Sequence, residues 1–389
     1  MFATPGSAVK VMFLIRSLDI GGAETQLSLL ARGLRSRGED VSVAVYYGGG
    51  PLERDLKQAG IPVFDLQKLG RWDALVYPFR LLRLVRRVNP DILHSYMPTA
   101  NITAAAIKKL IPDTRVVWGV RASDMDLRRY GWLERVVFAA SVRLAGAADL
   151  IVANSQAGYE YHKRRGYPER RMRVVENGVD VERFRPDEEL RRRQRAQWNI
   201  GDRECVVGMV ARVDPMKDHE TFLQAAGALH SRDVGYRFAC IGSGEPGYEN
   251  KMRERAEALI RDGVLVWEPA RPDVERVYPA FDIAVNSSAY GEGFSNVVGE
   301  AMACGVPCVV TDVGDAAHIV NGQGAVIRAR DAGALASAVE GIRAQLEADR
   351  SGTGARVRGR VVAHYGIERL VSRSASAYRS LLGGGVTGA

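Results

Sequence analysis

Val9-Lys-Val-Met-Phe-Leu-Ile15 is an apolar run of strand length, and Gly21-Gly22 and a helical pattern through Leu27, Leu30 and Leu34 follow it. Far downstream, Cys205-Val-Val-Gly-Met-Val210 repeats the arrangement, with a polar loop and a helical pattern from His219 to Leu229. Between and beyond these openings, short apolar runs alternate with helix-length segments. They are Val41–Tyr46, Ile61–Asp65, Asp91–His94, Val116–Gly119 and Leu150–Ala153, then Arg237–Ile241, Val264–Trp267, Ile283–Asn286 and Pro307–Thr311. Strands that are apolar throughout and alternate with helices imply parallel sheets covered on both faces. A pattern that begins twice implies two doubly wound α/β domains, Rossmann-like, and not one barrel. The Arg-rich stretch Arg185 to Arg195 reads as the seam. The expected division is residues 1–185, a linker at 186–200, a second domain at 201–366 and a final helix at 367–389.

The 389 residues are 46% hydrophobic and 26% charged, which excludes disorder, collagen and coiled coil as descriptions of the whole chain. No run of 18 apolar residues occurs, so no transmembrane helix is expected. No basic-then-apolar leader opens the sequence, and the four cysteines form no CxxC. A cytoplasmic setting is the expectation, with no disulfide scaffold and no metal site. The net charge of +8 is uneven: residues 1–200 carry 33 Lys and Arg against 22 Asp and Glu, the remainder 21 against 24. A basic first half suggests an anionic partner there. Residues Trp72 to Val88 read as an amphipathic helix, with Leu75, Phe79, Leu82 and Val85 on one side and Arg80, Arg83 and Arg87 near the other. Such a helix suits either an anionic membrane surface or a core helix with a basic outer face. No nucleic-acid recognition motif or basic-aromatic stacking platform appears, so nucleic acid is not expected.

Ligands of open α/β sheets bind outside the carboxyl ends of the strands. The loops there carry the candidate chemistry. Asn286 to Pro307 runs from a strand end through Gly291, Glu292, Gly293, Phe294, Ser295 and Asn296 into a short helix bearing Glu300. Ser295 and Asn296 are N-cap candidates, and a helix start among small residues suits a phosphate. Glu300 is placed to accept hydrogen bonds from ribose hydroxyls, and Glu292 to hold a sugar hydroxyl. Arg212 and Lys217 follow a strand, a planar fork and a compact point charge that both suit phosphate oxygens. Asp218 is an N-cap candidate. Gly21 and Gly22 let the backbone approach a ligand, and His94 ends a strand where a neutral imidazole could bond a hydroxyl.

Three patterns compete with this reading. Gly242-Ser-Gly244-Glu-Pro-Gly247 fits the dinucleotide fingerprint, with Glu268 near the distance expected of a ribose-binding acid. That would make the protein an NAD(P)-dependent oxidoreductase, although Glu245 would then stand beside the pyrophosphate. Asp124-Met-Asp126 spells a metal-dependent sugar-transfer motif, but with 23 Asp the spacing arises about once by chance, and neighbouring Arg121, Arg128 and Arg129 suggest local ion pairing. Cys304 and Cys308 lack companion ligands for zinc.

Taken together, Gly21-Gly-Ala-Glu24, Asp91-Ile-Leu-His94, Ile151-Val-Ala-Asn-Ser155, Asn177-Gly-Val-Asp180 with Phe184, and Gly208-Met-Val-Ala-Arg212 with Lys217 form an ordered series. Gly242-Ser-Gly244, Asp282 to Ser287 and the Glu292 to Glu300 block complete it. In that order the chain resembles the retaining glycosyltransferases of family 4, whose GT-B fold sets two Rossmann-like domains about a central cleft. The resemblance implies a UDP- or GDP-sugar donor on the second domain and a saccharide or lipid-linked acceptor on the first, in surface polysaccharide or lipopolysaccharide synthesis. It implies that Arg212 and Lys217 hold the diphosphate without a metal or cofactor, that Glu300 holds the ribose, and that the amides of Gly21, Gly22, Gly293, Phe294, Ser295 and Asn296 contact the donor. It places Glu292 and His94 against the transferred sugar, Gly242 and Arg271 near the donor, with Ala270 and Arg271 where the base is read, and the helix from about Ile367 to Leu382 back on the first domain. A hexose transferred with retention, by an enzyme on the inner face of a membrane, is the expectation. A non-catalytic nucleotide-sugar-binding protein is the remaining alternative.

Overall fold

The computed structural model describes residues 8–68, 73, 76–121, 123 and 131–383. Thirteen strands occur among these residues, in two sheets. The first sheet contains β1 (Lys10–Ile15), β2 (Asp40–Val45), β3 (Val63–Asp65), β4 (Ile92–Tyr96), β5 (Arg115–Val120), β6 (Leu150–Ala153) and β7 (Met172–Val174). Its order is β3-β2-β1-β4-β5-β6-β7, and every pair is parallel. The second contains β8 (Cys205–Val210), β9 (Tyr236–Ile241), β10 (Leu265–Glu268), β11 (Ile283–Asn286), β12 (Cys308–Thr311) and β13 (Ala325–Ile327). Its order is β10-β9-β8-β11-β12-β13, again parallel throughout. Both sheets therefore reverse their winding beside the first strand, between β1 and β4 and between β8 and β11. Those two positions are where an open α/β sheet opens a crevice for a ligand.

Burial follows from this topology. β1 reads buried at every residue after Lys10, β4 at all five residues, and β8 at its first five, as strands covered on both faces must. In the first sheet, Phe13, Ile15, Leu27, Leu30 and Leu34 pack on one face, and Met12, Leu14, Leu81, Val85 and Trp118 on the other. The second sheet is likewise sandwiched, by Val206, Tyr278, Phe281 and Met302 on one side and Phe222, Phe238, Leu229 and Leu335 on the other.

The chain divides into two compact units, residues 1–178 with 367–389 and residues 179–366. The first boundary thus lies seven residues before the expected one, and the expected linker at 186–200 contains a helix, Glu188–Gln197, of the second unit. The Arg run that reads as the seam is instead an anchor. Arg191 and Arg195 reach Asp282 at 2.6 and 3.2 Å, with Arg350 at 2.5 Å, and the Val206 amide donates to the same carboxylate at 2.7 Å. Burial alone would raise the Asp282 carboxyl, but Arg191, the Val206 amide, Arg350 and Arg195 outweigh it and hold it below the usual range. Helix Ile367–Leu382 contributes Leu370, Val371, Ala375 and Tyr378 to the core of the first unit.

The basic amphipathic helix spans Tyr77–Val88, and its buried face differs from the expected one. Tyr77, Leu81, Leu82, Leu84 and Val85 face inward, while Phe79 is 64% exposed. Arg80 is tied to the Leu66 and Gln67 carbonyls and to Asp73, which turns the helix so that Phe79 faces outward. Trp72, Leu75 and the Asp124-Met-Asp126 motif lie outside the described residues. No helix among the described residues is long and apolar enough to cross a membrane.

Candidate active site

At the winding reversal of the second unit, the loops after β8 and β11 are tied together. Ala289 donates its amide to the Met216 carbonyl at 2.7 Å, and the Ser287 hydroxyl lies 2.9 Å from the Lys217 carbonyl. Lys217 is thereby brought to Glu292: its ammonium pairs with the Glu292 carboxylate, both side chains being largely buried. Ser288 Oγ lies 2.6 Å from Glu292 Oε1 and 2.7 Å from Asn286 Oδ1. Asp218 follows at φ 52°, a left-handed conformation Asp tolerates, and caps helix His219–Arg232 through the amide and hydroxyl of Thr221. The expectation that Asp218 caps this helix is met. Arg212 stands at the mouth of the same loop with its side chain 64% exposed, 3.3 Å from Asp214.

Helix Asn296–Ala303 begins beside this cluster with Ser295 at the N-cap position, but the expected cap is not made. The Ser295 hydroxyl accepts from Asn286 Nδ2 at 2.6 Å instead, so no side chain caps the first turn. The N-terminal end of the helix is the positive end of its dipole and suits an anion from a ligand. The loop that leads into it is held from behind. The Asp315 amide donates to the Gly293 carbonyl at 3.0 Å, and Gly314, at φ 64°, lies so close that a Cβ there would stand 2.6 Å from the carbonyls of Glu292 and Gly293. Phe294 is buried against Tyr365, so only its backbone is available to a ligand.

Glu300 accepts a hydrogen bond from the buried Tyr278 hydroxyl at 2.9 Å, and burial raises its carboxyl above the usual range. Arg271 is engaged by Asp273 at 2.7 and 2.9 Å and by Glu268 at 3.0 Å, so its charge is compensated within the protein. Glu268 also accepts from the Trp198 indole at 2.7 Å. The Ala270 amide donates to Ser243 Oγ at 3.0 Å. Gly242 and Gly244 have a packing reason. A Cβ at either would overlap the Ala211 or Val213 carbonyl, because the chain after β8 crosses directly over them. Glu245 caps helix Pro246–Arg261, and the Gly244 amide is taken by Glu249. The glycine pattern that suggested a dinucleotide site is filled by protein backbone, with two carboxylates where a pyrophosphate would sit.

In the first unit, Gly21 is the N-cap of helix Gly22–Ser36, again with no side-chain cap. His94 is 1% exposed, enclosed by Phe13, Tyr96 and Tyr378, and its Nδ1 lies 2.7 Å from the Tyr378 hydroxyl. Burial, then the charge of Arg121, holds its imidazole well below the ordinary range, so it is neutral. It is thus an interior group and does not lie at the strand end. Tyr96 closes β4, and Arg121 follows β5. Sequence reading passed over Tyr96 and gave Arg121 to the Asp124 motif; no carboxylate among the described residues pairs with it.

Comparisons with known proteins find relatives that match both halves of the chain. Residues 20–183 match the model of Glycosyltransferase Family 4, and residues 204–345 that of Glycosyl transferases group 1. The chain is 24% identical over 312 residues to the putative glycosyltransferase EpsF of Bacillus subtilis (strain 168), covering 79% of this chain and 80% of that one. It is 34% identical over 175 residues to the D-inositol 3-phosphate glycosyltransferase of Mycobacterium sp. (strain KMS), a match over 44% of this chain and 39% of that protein. Among solved structures, Anabaena HepE in complex with UDP-glucose superposes with a TM-score of 0.83 at 20% identity, over 95% of this chain and 99% of that one. Two family models that together span most of the chain, one on each sheet and both describing sugar transferases, place this protein among the family 4-type glycosyltransferases of GT-B fold.

Proposed function

We propose that the protein transfers a hexose, with retention of configuration, from a nucleoside-diphosphate sugar bound on the second unit to a saccharide or lipid-linked acceptor bound on the first, in the assembly of a surface polysaccharide such as lipopolysaccharide. The observation that carries the donor half is the Lys217–Glu292 pair beside the uncapped start of helix Asn296–Ala303. As the sugar leaves, negative charge builds on the oxygen bridging it to the diphosphate. A preorganised ammonium, the exposed guanidinium of Arg212 and the positive N-terminal end of helix Asn296–Ala303 supply most of the stabilisation such a leaving group needs. When the diphosphate arrives, Lys217 exchanges a carboxylate for phosphate oxygens, and Glu292 is released toward the sugar hydroxyls. Glu300, now bonded to Tyr278, turns one oxygen to the ribose. That Anabaena HepE was crystallised with UDP-glucose supports a nucleotide-sugar donor.

Retention by attack on the same face as departure needs no protein nucleophile, and the leaving phosphate takes the acceptor's proton. The cations named above make a metal unnecessary in this scheme, and no resident cofactor enters it. The enzyme would work in the cytoplasm, at the inner face of a membrane where its acceptor is lipid-linked.

The test is release of UDP or GDP from a panel of nucleotide sugars with saccharide and lipid-linked acceptors, with and without EDTA. Acceptor-dependent release that EDTA leaves unchanged is expected; strict dependence on Mg²⁺ would overturn the leaving-group scheme. Flotation with anionic and neutral vesicles checks the peripheral membrane part, which equal binding to both would remove.

A further inference from the structure

At the winding reversal of the first unit, several buried polar atoms lack hydrogen-bond partners among the described residues. Arg121 donates through Nη1 to Asn177 Oδ1 at 2.9 Å, and its guanidinium centre lies 4.3 Å from the centroid of the Tyr96 ring. Among the described residues its buried Nε has no hydrogen-bond partner, nor has the hydroxyl of Tyr96, which is 1% exposed, nor Nε2 of His94. The His94 and Tyr96 rings are 4.7 Å apart, so the three groups are neighbours. The backbone of β5 comes close here because residue 119 is glycine: a Cβ would lie 3.3 Å from His94 Nε2.

A buried donor left without a partner is costly, most of all when it is charged. Orphans grouped around a guanidinium that no carboxylate among the described residues pairs with, at the carboxyl ends of β4 and β5, therefore point to a ligand site. Their chemistry names its class. With Nη1 engaged, the Nε–Nη2 edge of Arg121 remains, the edge that takes two oxygens of a phosphate or carboxylate side by side. Stacking on Tyr96 fixes the plane of that edge. With Tyr378 donating to Nδ1, a neutral His94 carries its proton on Nε2 and adds a donor.

We propose that Arg121, Tyr96 and the Nε2 edge of His94 form an oxyanion-binding subsite of the first unit, which takes the phosphate or carboxylate group of an anionic acceptor. The proposal rests on the reading of the first unit as the acceptor side. Neutral saccharides would then be poor acceptors, and charged ones would be oriented by two parallel hydrogen bonds from Arg121.

The test keeps the donor site out of the measurement. The full-length protein is saturated with whichever of UDP, GDP or ADP raises its melting temperature most, and is then titrated separately with methyl phosphate and with glucuronate. A further, saturable rise is expected with at least one of them. Response to methyl phosphate alone assigns a phosphorylated acceptor, response to glucuronate alone a uronic acid, and response to both a general oxyanion site. Arg121→Gln should weaken the response about tenfold or more, the loss of one charge-assisted pair, while the nucleotide-induced rise is retained. Tyr96→Phe, which keeps the ring beneath the guanidinium, should weaken it about threefold to tenfold. No response in the wild type, or an equal response in Arg121→Gln, would overturn the subsite. Should Arg121→Gln fail to fold, an unchanged response in Tyr96→Phe does the same. Absence of any nucleotide-induced rise in the wild type would instead count against the donor reading, and the comparison of wild type with Arg121→Gln would still decide the subsite.

Discussion

The two units share a strand order and a winding reversal yet treat charge there in opposite ways. In the second, Lys217 is matched to Glu292. In the first, no carboxylate among the described residues pairs with Arg121, and Tyr96 and His94 keep unpartnered atoms beside it. A compensated pair is a site that exchanges one anion for another, so its cations stay placed when the ligand is gone. An uncompensated cation among orphaned donors is a site whose anion comes only with the ligand. Topology supplied the position in both cases; the loops decided the electrostatics.

The largest expected effect lies on the compensated side. Lys217→Ala should lower turnover by about 10²–10³, the range seen when one stabilising donor of a transition-state charge is removed. It also leaves Glu292 buried without its cation, so thermal stability should fall with it. A variant that kept turnover would break the contrast at its stronger end.

The second effect should strike both units alike. His162 in the first and His219 in the second are held neutral by burial, each with its pKa lowered to about 4. The unfolded chain binds these protons near pH 6.5 and the folded chain refuses them until about 4. Stability is therefore full above about pH 6.5 and falls as the pH drops toward 4, by roughly 3 kcal/mol for each histidine. Urea melts across pH 4–8 measure it. Replacing either histidine with Gln should flatten the slope; unequal flattening would sharpen the difference between the units.

Smaller still is Gly314→Ala. Its left-handed backbone and the 2.6 Å approach to the Glu292 and Gly293 carbonyls mean that a methyl must displace the loop, at a cost of about 1–3 kcal/mol. Turnover should fall by more than the melting temperature suggests, because the displaced loop carries Glu292. A loss of stability with unchanged turnover would show that the loop tolerates movement.

Much of this was legible before any coordinates. Twice-repeated alternation of apolar strands and helices gave two doubly wound sheets, since strands buried on both faces cannot hide their composition. The loop positions of Lys217, Glu292 and Gly293 followed from strand ends. The Arg run from Arg185 was misread, because a basic sequence looks solvated until Asp282, some 90 residues later, is known to lie beneath it. Ser295 looked like a cap, because its competing partner Asn286 is nine residues back on a strand. Gly242 and Gly244 imitated a nucleotide loop, because a glycine forced by crossing backbone has the same spelling as one that admits a phosphate. His94 and Tyr96 lie two apart on one strand and share a face, and only the packing of helix Ile367–Leu382 against that face shows that both are enclosed.

The central claim is that Lys217 gives up Glu292 for the diphosphate of the donor. Isothermal titration of the full-length protein with UDP, GDP and ADP, compared between wild type and Lys217→Ala, tests it directly. Saturable binding of at least one nucleotide to the wild type, weakened about tenfold or more in the variant, is expected for the loss of a charged contact to phosphate. Equal affinity in the two proteins would contradict it.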